Sequence, residues 1–110
     1  MQIVIEQQAS VAVLRPEGRL DLLSAAQLKQ QLTDAVANGA QQLVIDMAGV
    51  SFIDSSGLGA LIGGLKAARL AGGDLRIARV GEQARLVLEL TRLDRVLQTH
   101  ATVEESVAGY

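Results

Sequence analysis

From Ser24 onward the sequence alternates between helical patterns and short apolar runs, and this alternation constrains the fold more than any other feature. The helical stretches are "SAAQLKQQLTDAVANG", "SSGLGALIGGLKAARLAGG" and "EQARLVLELTRL" (Glu82 to Leu93). Between them lie "QLVID" (Gln42 to Asp46), which suits a buried central strand, and "DLRIARV" (Asp74 to Val80); "RVLQTH" is a further short strand. Consecutive parallel strands need a crossover, and a helix is the usual one. The pattern therefore predicts an α/β domain with a mostly parallel interior. Upstream, "IVIE" (Ile3 to Glu6) and "VAVLRPEG" (Val11 to Gly18) read as a hairpin, so the sheet is expected to be small and mixed. With "TVEESV" as a last helix, about four helices flank it, in one domain over residues 1–110.

Local signals sharpen the boundaries. Ser24 and Gln27 have capping-box spacing, as do Thr102 and Glu105. Leu28, Leu32 and Val36 form an apolar stripe, and Asn38-Gly39 supplies a helix stop. Pro16 cannot donate to a ladder and is expected near the end or edge of its strand. Ligand and partner sites in such sheets lie beyond the carboxyl ends of the strands.

Composition excludes several functions. The chain carries a net charge of -2 and only two aromatic residues, Phe52 and Tyr110, which argues against nucleic-acid binding through phosphates or base stacking. It has no cysteine, hence no disulfide, thiolate metal site or Cys nucleophile. A single histidine, His100, cannot form a His cluster and reads as a surface or strand-edge residue. No metal site is expected. The opening "MQIVIEQQ" lacks a basic region followed by an apolar stretch, and no apolar run approaches the roughly 20 residues of a membrane span. The expectation is a soluble, cytoplasmic protein without a membrane partner.

The most informative stretch is "SFIDSSGLGALIGG" (Ser51 to Gly64), where an apolar run gives way to a helix. "DSSG" by itself is a common helix N-cap cluster. Helical spacing puts Leu58, Leu61, Ile62, Leu65 and Ala68 on one face, which must meet the sheet. A second face holds Gly57, Ala60, Gly64, Ala67 and Ala71 and carries almost no bulk. It packs either on a neighbouring helix of the domain or on a partner protein. The glycines lack dinucleotide spacing, no phosphate loop is present, and Gly57-Leu58-Gly59 is no hydrolase elbow. No enzymatic site is recognisable.

The segments "GRLDLLSAAQLKQQL" and "LVIDMAGVSFIDSSGLGALIGGLKAARLAGGDLRI" closely resemble the anti-sigma factor antagonists, bacterial members of the STAS domain family. The likeness runs from about Gly18 to Ile77 and continues more loosely beyond; "DSSGLG" after a buried strand and "GVSF" is its most specific part. The resemblance implies partner switching rather than catalysis. The unphosphorylated protein would bind and sequester a serine-kinase anti-sigma factor. That kinase would use ATP to phosphorylate Ser56, the second serine of the motif, and so be released. A PP2C-type phosphatase would reset the switch.

On the same footing Asp21, Asp54, Ser55, Gly57, Leu58, Gly59 and Ala60 flank the phosphorylation site and contact the partner. The protein itself needs no cofactor, since ATP belongs to the kinase. Its own state is expected to be a monomer, with a dimer left open. Arg19 stands where many members have Glu, which changes local charge without removing the acceptor. The rival reading is a STAS regulatory subunit of a transporter or signalling complex, without phosphorylation.

Overall fold

The computed structural model describes all 110 residues. Strands β1 (Gln2–Gln8) and β2 (Val11–Leu20) form the antiparallel hairpin. Helix α1 (Leu22–Ala37) crosses to β3 (Gln42–Asp46), which pairs parallel with Val11–Leu14 of β2. The "GVSF" segment is itself a strand, β4 (Val50–Ile53), parallel to the far end of β2. Helix α2 (Ser55–Leu70) then leads to β5 (Asp74–Ala78), which pairs parallel with β3. After α3 (Glu82–Leu90) and a 3-10 turn at Leu93–Arg95, the short β6 (Gln98–His100) pairs parallel with β5, and α4 (Val103–Ala108) closes the chain. The result is a mixed α/β domain with sheet order β1-β2-β3-β5-β6 and β4 beside β2.

Several boundaries differ from expectation for physical reasons. β2 lies inside the sheet, and Pro16 is not at its end. Its parallel partner changes there, from β3 (ending at Leu14) to β4 (starting at Gly18), so the missing N–H removes no rung from either parallel ladder. The capping box of α1 sits one turn earlier than Ser24 and Gln27: Asp21 is the N-cap, its Oδ1 accepting from the Leu23 N–H at 3.1 Å, while Ser24 Oγ accepts from the Asp21 N–H at 3.1 Å. Gln27 instead donates to the Met1 carbonyl at 2.8 Å. At α4, Thr102 caps as expected, accepting from the Glu105 N–H at 3.1 Å, but the Glu105 carboxylate accepts from Ala101. β5 stops at Ala78 because Arg79 turns into the left-handed region, and α3 stops at Leu90, short of Leu93.

Helices α1, α2 and α3 pack on one face of the sheet. Leu28, Leu32, Leu61, Leu65 and Leu88 interlock there with Leu14, Leu43, Ile45, Leu75 and Ile77. The small-residue face of α2 is buried inside this layer. A Cβ at position 57 would collide with the Leu20 carbonyl oxygen, and one at position 64 would stand 2.5 Å from Leu32 Cδ1 of α1. Ala60 is buried as well. Of the two readings left open by the sequence, packing within the domain is the one the fold adopts. The opposite face carries a smaller cluster, Val11, Val13, Val44 and Ala78, covered by Val103 of α4. Tyr110 fastens this layer: its hydroxyl reaches the carbonyls of Leu43 (2.6 Å) and Asp74 (2.9 Å), and the Arg76 guanidinium lies 4.0 Å from its ring centroid.

Candidate functional site

The site forms where β2 and β4 end side by side. Leu20 and Ile53 are register partners, and both are buried. Each is followed by an aspartate that caps the next helix. Asp54 Oδ1 accepts from the Gly57 N–H at 2.9 Å, and the Asp54 N–H donates to the Leu20 carbonyl at 3.3 Å, tying the two strand ends together. The helices can leave this close because Gly57 has no side chain to strike Leu20.

Of the DSSG cluster, the aspartate is the cap. Asp54 takes that role, so Ser55 is the first helical residue and Ser56 the second. Ser55 is exposed and Ser56 half-buried, with neither hydroxyl engaged in the cap. Free N–H groups and the helix dipole at this end favour an anion.

The residues grouped from sequence around Ser56 divide in two. Asp21, Asp54, Ser55 and Gly59 have access to solvent, whereas Gly57, Leu58 and Ala60 point into the core and present no surface to a partner. At 100° per residue, positions 57, 58 and 60 fall on the side of α2 that meets β2, α1 and the sheet. Other residues are exposed there instead. Leu22 and Leu23, in the first turn of α1, are 75% and 92% exposed, which makes them an apolar pair beside the two caps. Their one sequence signal is that they stand outside the Leu28–Leu32–Val36 stripe.

Two further side chains shape the site. Arg19 lies 4.2 Å from the Phe52 ring centroid and its Nε stands 3.6 Å from Asp21 Oδ2, so a cation partly offsets the Asp21 carboxylate. Gln83, from α3, uses its amide to accept from the Ile53 N–H (3.0 Å) and donate to the Ile53 carbonyl (2.9 Å). It thereby acts as an extra strand rung and steadies the residue preceding Asp54. No sequence signal links positions 53 and 83, because their meeting depends on how α3 docks.

A second polar cluster lies at the end of β3. Asp46 is buried and held by Arg15 at 3.2 Å, by Arg79 Nε at 3.0 Å and by the Ala48 N–H at 3.1 Å. Burial opposes its charge, but Arg79, the Ala48 N–H and Arg15 outweigh that and hold the carboxyl below its ordinary pKa. Arg79 makes this contact from a backbone with φ 55, a left-handed conformation uncommon for a residue with a side chain. No His, Cys, Asp or Glu side chains gather in threes as a metal site would need, and no helix is long and apolar enough to cross a membrane.

The chain belongs to the STAS domain family, whose model matches residues 2–106. Within that family it is similar to proteins named anti-sigma factor antagonists. It is 31% identical to the anti-sigma-B factor antagonist of Bacillus subtilis (strain 168), over 82% of this chain and 82% of that one. It is 26% identical to the anti-sigma F factor antagonist of Paenibacillus polymyxa, over 88% and 84%. Among solved structures, an anti-sigma factor antagonist from Mycobacterium paratuberculosis superposes with a TM-score of 0.88 at 26% identity, covering 98% of this chain and 92% of that one.

Proposed function

We propose that this chain is an anti-sigma factor antagonist working by partner switching, with Ser56 as the switch. In the unphosphorylated state it binds and sequesters a serine-kinase anti-sigma factor. The kinase transfers the terminal phosphoryl group of ATP to Ser56 Oγ. The Oγ–P bond forms, the P–O bond to ADP breaks, and the hydroxyl proton passes to a base of the kinase or to solvent. The phosphorylated protein lets go, and a PP2C-type phosphatase hydrolyses the ester. The protein itself acts as a cytoplasmic regulator rather than an enzyme, and ATP is the kinase's substrate.

The observation that carries this reading is the cap. Because Asp54 satisfies the Gly57 N–H, the Ser56 hydroxyl has no structural duty at the start of α2. A phosphate there adds about -1.5 to -2 charges and three acceptor oxygens. The helix end accommodates them, while Asp21, partly offset by Arg19, and Asp54 add negative charge nearby. Docking is assigned to the exposed Leu22, Leu23, Ser55 and Gly59 around the two helix starts, with the half-buried Ser56 among them. Charge appearing at the centre of such a patch changes affinity without refolding anything.

The test is incubation with the host's switch-type kinases and ATP, followed by mapping of phosphate by mass spectrometry. Modification confined to Ser56, together with loss of kinase binding, is the expected result. Phosphate found elsewhere, or a phosphorylated protein that binds as before, overturns it.

A further inference from the structure

Strand β1 lies at one end of the sheet with nothing beyond it. It is seven residues long, "QIVIEQQ", with no proline, no lysine or arginine and an uninterrupted register against β2. Protein edges are normally guarded against further pairing by such residues, by bulges, or by being short, and the three-residue β6 at the other end is short. β1 has none of these protections. It also exposes apolar side chains on both faces of the sheet: Val4 is 58% and Ile5 49% accessible. Its single charge, Glu6, is matched within the molecule by Arg15 at 2.8 Å, so the edge meets an incoming strand without an uncompensated carboxylate.

We propose that β1 is a self-association edge, at which two copies of the chain join their sheets through antiparallel β1–β1 pairing centred on Ile5. An antiparallel strand edge is self-complementary under a two-fold axis, which is why a second copy is the occupant that fits. Side-chain alternation and charge select the register. Pairing centred on Ile5 uses all seven residues and sets Glu6 opposite the second copy's Val4, Gln2 opposite Gln8, and Ile3 opposite Gln7. Centring on Glu6 would instead place two carboxylates face to face, which is unfavourable. In the Ile5-centred register the two Ile5 side chains meet on the helix-bearing face. There each lines an open cleft of about 460 Å³ between β1 and α1, walled also by Ala12, Ala35 and Ala40. A single strand pair is a small interface, so the dimer is expected to depend on concentration. β1 contributes nothing to the α2 start, and the pairing stands or falls independently of the kinase reading.

Sedimentation equilibrium of the full chain tests this. The mass should rise from 11.6 kDa toward twice that value with concentration. Val4→Lys and Ile5→Lys should each weaken association at least tenfold, with circular dichroism and melting temperature reporting that the fold is kept. Because the chain has no cysteine, thiols report the register directly. Facing Cβ atoms in such pairs stand about 5 Å apart, just beyond disulfide reach, so Ile5→Cys should join into a covalent dimer with a short thiol-to-thiol cross-linker, while Gln7→Cys, which faces Ile3, should not. A monomer at every concentration, a dimer indifferent to both lysines, or equal cross-linking of the two cysteine variants would each overturn the proposal.

Discussion

Asp21 and Asp54 are twin caps: each follows one of two paired strand residues, Leu20 and Ile53, and each accepts from an N–H of the helix it starts. Two helix N-termini therefore open side by side, and Ser56 sits one residue beyond the first position of the second helix. The division of labour between carboxylate cap and free serine hydroxyls leads to the first expectation.

Asp54→Ala should cost about 1 kcal/mol, the typical loss for a helix cap, and lower the melting temperature by a few degrees. Ser55→Ala should change stability by less than about 0.5 kcal/mol, since the hydroxyl takes no part in the cap. Chemical denaturation of the two variants decides between the carboxylate and the serine as cap. A Ser55→Ala loss as large as that of Asp54→Ala would overturn the assignment of the cap to Asp54.

Phosphate on Ser56 should weaken kinase binding steeply. Two unit charges ~7 Å apart at an effective dielectric of ~20 interact by about 2.4 kcal/mol. A phosphoryl group facing one partner carboxylate then lowers affinity by roughly two to three orders of magnitude before salt screening. Ser56→Asp, with a single charge, should reproduce part of the loss, and Ser56→Ala should bind like the unphosphorylated protein. Titration calorimetry at two salt concentrations measures both the size and the electrostatic origin of the effect.

The glycines of α2 should respond oppositely to one added methyl. Gly59 is exposed with open space around its would-be Cβ, so Gly59→Ala is expected to stabilise by about 0.5–1 kcal/mol through helix propensity. At Gly57 the methyl meets the Leu20 carbonyl, a backbone atom that cannot swing aside, and Gly57→Ala should destabilise by about 1–3 kcal/mol. Thermal melts of the two variants suffice to check the signs.

Stability should fall at both extremes of pH for identifiable reasons. Asp46 has a lowered pKa in the folded state, so its contribution is complete above the unfolded carboxylate value near 3.9 and disappears as pH drops through the folded one. Tyr110 behaves conversely. Burial, with the Asp74 charge, pushes its phenol up to about 12, so its contribution is complete below about 10 and is lost as pH rises toward 12. Asp46→Asn should flatten the acid limb and Tyr110→Phe the alkaline limb of a denaturation series. At neutral pH the Asp46→Asn change should also cost about 1–3 kcal/mol, because Arg15 and Arg79 lose their buried anionic partner and one of its two acceptor oxygens becomes a donor.

Much was legible in the chain itself. Strand and helix alternation is local and periodic, so the mixed α/β architecture, the α1 stripe of Leu28 and Leu32, and the stop at Asn38-Gly39 need no tertiary contact to be legible. The place of Ser56 at a strand-to-helix junction was legible for the same reason, since "SFIDSSG" changes period within a few residues. What the sequence left ambiguous was decided between segments. Whether Asp21 or Ser24 caps α1, and which residue of DSSG caps α2, turns on how far β2 and β4 run, and their mutual pairing sets that limit. The smooth face of α2 offered the same low bulk to a neighbour or a partner; only the approach of Leu20 and Leu32 filled it from within. Gln83 on the Ile53 backbone, and Arg15 with Arg79 on Asp46, join residues some thirty positions apart. No local pattern encodes such contacts, because they exist only once the sheet has brought its distant strands and helices together.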